Sequence, residues 1–133
     1  MIPDQAKFGI VSTGKVWEDL LSKAVAKYSR EEIGAESALN YVFAGVETTG
    51  LNATDLHDAP AEEVRDRMKE ATKKLVRKGG LRAVCLGCAG MAGMDVMVRE
   101  ALIEELGQDR GNAVHIVDGV KAGVEWLEQE LSM

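Results

Sequence analysis

A cysteine, Cys88, stands in the middle of the stretch Leu86-Gly87-Cys88-Ala89-Gly90-Met91, with small residues on both sides. An apolar run precedes it and a helix-like pattern follows over residues 94–106. Together they predict a buried strand, a tight turn and a helix start. At such a junction the thiol lies near free backbone N–H groups and near the positive end of a helix dipole. Both features favour the thiolate, so Cys88 is a candidate base or nucleophile.

Two other interpretations of this cysteine compete with catalysis. A buried cysteine is commonly an inert, small apolar residue. The small residues Gly87, Ala89 and Gly90 weaken that interpretation, since they leave N–H groups open and let a substrate approach closely. Cys85 and Cys88 also have the spacing of a redox dithiol, but Cys85 falls inside the predicted strand and is predicted to be a core residue. The two histidines are not spaced to complete a zinc site, so neither a metal centre nor a redox pair is favoured.

A second glycine-containing segment, Gly9-Ile10-Val11-Ser12-Thr13-Gly14-Lys15-Val16, half matches a phosphate-binding P-loop. Val16 stands where that motif needs a hydroxyl for magnesium, and Gly9 lies inside a predicted strand. Nucleotide binding is therefore not favoured, and the segment is predicted to be a strand-to-helix turn. The hydroxyls of Ser12 and Thr13 remain available for a ligand, and Thr13 is also a candidate cap for the helix that follows.

Apolar strands alternate with amphipathic helical patterns along the chain. Strands are predicted over residues 7–13, 40–47, 82–87 and 112–118, and helices over residues 16–28, 60–78, 94–106 and 120–131. The first helix is predicted to bury one wide apolar face. A short extra turn is predicted from Ser29 to Gly34. This order predicts an α/β fold in which one four-stranded parallel sheet carries helices on both faces, as a single domain over residues 1–133.

Ligands bind at the carboxyl ends of the strands in such sheets. The predicted strand ends carry hydroxyls, one thiol and one carboxylate: Ser12 and Thr13, Thr48 and Thr49, Cys88, and Asp118. Asp118 has a simpler interpretation as the cap of the last helix. The pattern therefore predicts a candidate site around Cys88 at this edge of the sheet.

Composition limits the classes of partner. The 133 residues are 46% hydrophobic and 29% charged with a net charge of -6, which is typical of a folded, acidic domain. The chain has no basic cluster of the kind that binds nucleic acid or an anionic membrane, so neither partner is favoured. The sequence shows no signal-peptide core and no apolar run of membrane-spanning length, so a cytoplasmic protein is expected.

At the Cys88 motif the chain resembles the Asp/Glu/hydantoin racemase superfamily, in its hydantoin and allantoin racemase branch. The segment Phe8-Gly9-Ile10-Val11-Ser12-Thr13 resembles the strand that opens the second domain of that family. The segment Val117-Asp118-Gly119-Val120, with Ala122-Gly123, resembles its closing strand and helix. Residues 45–57 are similar to those of fungal members.

The resemblance implies a flavodoxin-like domain, one of two similar domains that face each other in a cofactor-independent racemase. Each domain of that family contributes one cysteine, and Cys88 matches the cysteine of the second domain. One thiolate removes the proton from the stereocentre of a hydantoin or allantoin, and the opposite thiol returns a proton on the other face. The resemblance assigns substrate binding to five positions: Ser12, Thr13, Gly87, Ala89 and Gly90.

The chain departs from the family in length, since members are about twice as long and it resembles only their second half. The cysteine motif of the first half is absent, and Cys85 cannot reach the opposite face of a substrate. A second domain or subunit is therefore expected to complete the site, and a homodimer with two facing Cys88 thiols is one arrangement. Two alternatives stay open: a decarboxylase or isomerase that needs one cysteine, and an inactive interaction domain.

Overall fold

Four parallel strands form the sheet: β1 (Lys7–Ser12), β2 (Phe43–Thr48), β3 (Leu81–Leu86) and β4 (His115–Asp118). This computed structural model describes residues 6–33 and 42–132. The strand order is β2-β1-β3-β4, which is the flavodoxin-like order. The predicted four-stranded parallel sheet is therefore confirmed, while the predicted start of β2 at residue 40 and the predicted turn end at Gly34 lie outside the described residues.

The helices follow the strands in the predicted alternation. They are α1 (Val16–Tyr28), α2 (Asp55–Asp58), α3 (Ala61–Val76), α4 (Asp95–Leu106), α5 (Gln108–Ala113) and α6 (Gly119–Leu131), with a π-helical turn at Ser29–Ile33. Helices lie on both faces of the sheet. Helix α1 borders the face that carries Phe8 and Ile10, and α3 and α4 cover the face that carries Val11 and Val84.

Helices α2 and α5 are additions to the predicted order. Helix α5 shortens the last strand from the expected 112–118 to His115–Asp118. Gly111 allows it, because a Cβ at this position would lie only 2.6 Å from the Cα of Ile103 in α4. The Arg99 guanidinium then donates hydrogen bonds of 2.7 Å to the carbonyls of Gly111 and Val114. These contacts join residues of different elements, so the local pattern of apolar residues did not predict the helix.

The main core fills the space between the sheet and helices α3 and α4. The buried apolar residues of these two helices are Val64, Met68, Ala71, Leu75, Val98, Ala101 and Leu102. All seven are positions that the helical spacing predicts to face inward. In β1, Gly9 makes room for Leu75, because a Cβ on Gly9 would lie 2.7 Å from a methyl carbon of Leu75.

Ion pairs join the outer edges of α3 and α4. Lys69 Nζ lies 2.7 Å from a carboxylate oxygen of Glu104, and Lys73 Nζ lies 3.3 Å from the same oxygen. The hydrogen bond from Lys69 lowers the pKa of Glu104 the most, and the hydrogen bond from Lys73 lowers it further. Arg65 pairs with Glu100 one turn away. This arrangement holds α4, the helix that follows the Cys88 turn, against α3.

Within residues 6–33 and 42–132, the opposite face of the sheet is covered incompletely. The prediction that α1 buries a wide apolar face is wrong, because no residue of α1 is buried. Val16, Trp17 and Leu20 are exposed, and an open apolar groove lies between the inner side of the helix and Phe8 and Ile10 of β1. Periodicity identifies the apolar side of a helix, but other elements decide whether that side is covered.

None of the helices in the described ranges combines the length and the apolar character that crossing a membrane requires.

Candidate functional site

The Cys88 thiol lies where β3 leaves the sheet. Cys88 has an extended backbone (φ -145°, ψ 135°) and precedes a 3-10 turn, Ala89–Met91, in which the Met91 amide donates a 3.0 Å hydrogen bond to the Cys88 carbonyl. Helix α4 begins only at Asp95. The predicted strand, turn and helix are therefore present, with an extra turn between the thiol and the helix. Met91 is fully buried and anchors this turn in the core.

Gly87 lets the end of β3 pack closely against β1. Its amide donates a 2.7 Å hydrogen bond to the Val11 carbonyl. A Cβ at this position would lie 2.7 Å from Cγ2 of Ile10 and 3.1 Å from the Val11 carbonyl oxygen. Glycine is therefore required here for close packing of two strand ends, and that packing sets the position of Cys88.

Replacing Gly87 with alanine is expected to destabilise the protein by about 1–3 kcal/mol, because the new methyl group overlaps β1. Urea unfolding followed by circular dichroism measures the change. Gly119→Ala is the matched control. Gly119 lines the same cleft, but a Cβ there meets nothing within 4 Å. Gly119→Ala should therefore change the free energy of unfolding by no more than about 0.5 kcal/mol, or stabilise α6 slightly. Equal stability of the two variants would contradict the close-packing explanation.

The two hydroxyl residues at the end of β1 are buried. Ser12 is 1% exposed, and its hydroxyl donates a 3.4 Å hydrogen bond to the Gly87 carbonyl. Thr13 is 3% exposed, and its carbonyl accepts hydrogen bonds from the Thr49 hydroxyl (3.3 Å) and the Gly50 amide (3.0 Å). The prediction that Thr13 caps α1 is wrong, because that helix begins at Val16 and Lys15 occupies the capping position. Both residues therefore join strand ends and do not line the cleft beside Cys88.

An open cleft of about 280 Å³ lies beside the thiol. Its lining residues come from the ends of β3 and β4: Leu86, Gly87, Cys88, Ala89, Asp118, Gly119 and Val120. The ends of β3 and β4 lie side by side because Leu86 pairs directly with Asp118 in the strand register. Gly90 lies next to the thiol, since a Cβ there would be 3.6 Å from Cys88 Sγ and 3.3 Å from Leu56 in α2.

Asp118 has two roles in this geometry. Its Oδ1 accepts hydrogen bonds from the amides of Val120 (3.0 Å) and Lys121 (3.2 Å), so it caps α6 as the simpler interpretation predicts. It also lines the cleft that contains Cys88. The sequence predicted that Asp118 lies near the thiol, because both residues stand at the carboxyl ends of predicted strands.

Backbone donors are available around Cys88. Within the described part of the chain, the amides of Ala89 and Gly90 donate no hydrogen bond. They are the first N–H groups of a helical turn, which have no partner inside that turn. An oxygen atom that carries developing negative charge could accept from them.

The second cysteine has a different environment. Cys85 is half-buried within β3, where it pairs with Ile10 and Val117 in the neighbouring strands. Burial raises the pKa of the Cys85 thiol, so this thiol stays protonated near neutral pH. Both cysteines are free. Across residues 6–33 and 42–132, no three His, Cys, Asp or Glu side chains converge as a metal site would require.

Comparison with known proteins places the chain in a family. Residues 2–127 match the family described as Asp/Glu/Hydantoin racemase. An uncharacterised protein of Schizosaccharomyces pombe is 33% identical over 127 residues, which cover 96% of this chain and 47% of the relative. The crystal structure of allantoin racemase from Pseudomonas fluorescens has a similar fold, with a TM-score of 0.68 and 24% identity over 92% of this chain and 44% of that chain. The chain thus spans about half the length of these two proteins. It belongs to the Asp/Glu/hydantoin racemase family, as the motif around Cys88 predicted.

Proposed function

We propose that this chain is a racemase-like domain that transfers the C5 proton of a 5-substituted hydantoin or of allantoin, with Cys88 as the acid and base. One observation carries the proposal: the Cys88 thiol lines an open cleft beside two backbone amides that are free to donate. The family of the chain and its similarity in fold to an allantoin racemase support this substrate class.

The chemistry requires a base, a place for negative charge and a returning proton. The C5–H bond of a hydantoin lies beside a carbonyl, so removal of the proton by a thiolate produces an enolate. The amides of Ala89 and Gly90 would donate hydrogen bonds to the enolate oxygen. Proton transfer moves no electrons to an external acceptor, so the proposal includes no cofactor. It places the reaction in the cytoplasm, where free thiols stay reduced.

Inversion needs a second acid on the opposite face of the substrate. Cys88 is the only cysteine that lines the described cleft, so the proposal assigns the opposing group to another cysteine-bearing domain or subunit. In this proposal residues 1–133 form a single α/β domain equivalent to the second half of longer family members. Ser12 and Thr13 are proposed substrate contacts on the family resemblance alone, since both side chains are buried and neither lines the cleft.

Exchange of the C5 hydrogen in D₂O tests the proposal and separates its two parts. Each enantiomer of a 5-substituted hydantoin and of allantoin is incubated with the protein, and loss of the C5–H signal is followed by NMR alongside optical rotation. A site with one thiol exchanges the hydrogen of one enantiomer without inversion, while a site with two thiols also loses rotation. Absence of exchange above the rate without protein, for both enantiomers of both compounds, would contradict the proposal.

The single thiol in the described cleft also favours a second candidate, a one-cysteine decarboxylase or isomerase of the same superfamily. One cysteine suffices for either reaction. After loss of CO₂ its thiol protonates the carbanion that remains, and for a double bond its thiolate adds to one carbon, allows rotation about the resulting single bond and is then eliminated. Incubation with an arylmalonate or with maleate, followed by product analysis, distinguishes this chemistry from racemisation. An inactive interaction domain would turn over none of these compounds.

A further inference from the structure

Asp118 brings a carboxylate to the cleft beside Cys88, and capping uses only one of its two oxygens. Oδ1 accepts both capping hydrogen bonds, from the amides of Val120 and Lys121. The other oxygen, Oδ2, accepts no hydrogen bond and forms no ion pair within residues 6–33 and 42–132. Asp118 is partly buried and lines the cleft, so Oδ2 is an acceptor that a ligand in the cleft can use.

No described cation lines this cleft. Besides Asp118 and the Cys88 thiol, every lining residue is small or apolar. A neighbouring cleft, which Asp118 also borders, holds the other charged side chains of this region: Asp95, Arg99, Lys121 and Glu125. A ligand beside the thiol therefore meets one carboxylate and no cationic side chain of the described chain.

The two walls of the cleft differ in hydrogen-bonding character. On the β3 side, the amides of Ala89 and Gly90 are free to donate. On the β4 side, a carboxylate at Asp118 only accepts. The two walls adjoin because Leu86 pairs with Asp118 in the strand register. A ligand that satisfies both walls has a carbonyl on one side of its reacting carbon and an N–H group on the other.

A hydantoin ring has this arrangement around C5, since the C4 carbonyl lies on one side of C5 and the N1–H group lies on the other. We propose that Asp118 is a specificity-determining residue whose Oδ2 accepts a hydrogen bond from N1–H, while the free amides of Ala89 and Gly90 bind the C4 oxygen. This inference rests on the proposed function, because it takes C5 to be the carbon that faces the Cys88 thiol.

Asp118 also selects against dicarboxylates. An arylmalonate or maleate carries two carboxylates, so binding one at the free amides brings the other towards Asp118. Like charges repel, and no described cation in the cleft offsets the repulsion. Asp118 therefore favours a cyclic ureide over a dicarboxylate, which favours racemisation over the decarboxylase or isomerase alternative.

Asp118→Asn tests the contact without removing the cap, because asparagine is as good an N-cap as aspartate. With its oxygen on the capping amides, asparagine presents N–H donors where Oδ2 stood. Titrations of the 133-residue chain, followed by NMR of its backbone amides, measure binding of 5-benzylhydantoin and of its N1-methyl and N3-methyl derivatives. The substitution should weaken binding of the parent and N3-methyl compounds by about 10–100-fold, since both lose a hydrogen bond to a carboxylate. Binding of the N1-methyl compound, which has no N1–H to donate, should change little.

Asp95→Asn is the matched control. Asp95 lines the neighbouring cleft but not the cleft beside Cys88, so this variant should bind all three hydantoins like the wild type. Phenylmalonate tests the selection, because Asp118→Asn should bind it more tightly than the wild type does, and Asp95→Asn should not. Urea unfolding checks that both variants keep the wild-type stability.

Equal weakening of the parent and N1-methyl compounds in Asp118→Asn, or no weakening of either, would overturn the inference. Unchanged binding of phenylmalonate in that variant would overturn the selection against dicarboxylates. Failure of the proposed function gives a different result, namely a wild-type protein that binds the hydantoin but does not exchange its C5 hydrogen. A wild-type protein that binds none of the three hydantoins would overturn both.

Discussion

Replacing Cys88 with serine should slow protein-catalysed exchange of the C5 hydrogen by about 10²–10⁴-fold. Serine has nearly the same size and keeps the geometry of the 3-10 turn, but its hydroxyl is far too weak an acid to provide an anionic base at neutral pH. NMR in D₂O on an enantiopure hydantoin or allantoin measures this loss directly. Exchange also reports on proton removal from a single face, so it does not depend on the opposing acid.

Cys85→Ser is the matched control for this experiment. Cys85 lies inside β3, does not line the cleft, and has a pKa that burial raises. Exchange in this variant should therefore stay within a fewfold of the wild-type rate. Exchange at the wild-type rate in Cys88→Ser would remove Cys88 from the mechanism.

Truncating Leu75 to alanine should lower the free energy of unfolding by about 2–5 kcal/mol. Leu75 is fully buried in α3 and packs directly on the backbone of β1 at Gly9. Removing its side chain leaves a cavity between the sheet and the helix, where neither can move far. Urea unfolding measures the change, and Val96→Ala on the exposed side of α4 should change stability by less than about 0.5 kcal/mol.

The contact between Gly9 and Leu75 makes a sharper test of the same packing. Gly9→Ala alone should destabilise by about 1–3 kcal/mol, because its methyl group would overlap the Leu75 side chain. In the Leu75→Ala background the same methyl group enters the vacated space. The double variant should therefore be more stable than the sum of the single changes predicts, by about 0.5–3 kcal/mol. Strict additivity would show that these residues do not share one packing site.

The alternation of elements was predictable because strands and helices leave different local periods in the sequence. Helix α3 shows this well: its apolar positions recur at steps of three and four, and Val64, Met68, Ala71 and Leu75 are buried as expected. The parallel sheet follows from that alternation, since helices must cross between the strands. Helix α5 was missed because it is short and depends on contacts of Gly111 and Arg99 with other segments.

The candidate site was predictable in part. The position of Cys88 at a strand end follows from the apolar run before it and the small residues around it, and the structure places it in a cleft. Burial of the Ser12 and Thr13 side chains was not predictable. It depends on how closely the end of β1 approaches Gly87 and Thr49, and those residues are far away in the chain.

The amino-acid sequence by itself determined the alternation of the four strands with their longer helices, the family and the thiol at the end of β3. These are local properties, because a period, a turn or a motif is contained within a few neighbouring residues. Only the tertiary structure decided which apolar faces are covered. The apolar side of α3 lies in the core, while Val120, Val124 and Leu127 of α6 have the same kind of spacing and are exposed. Amphipathic spacing requires a partner surface but does not specify it, so coverage depends on where the other elements of the fold lie.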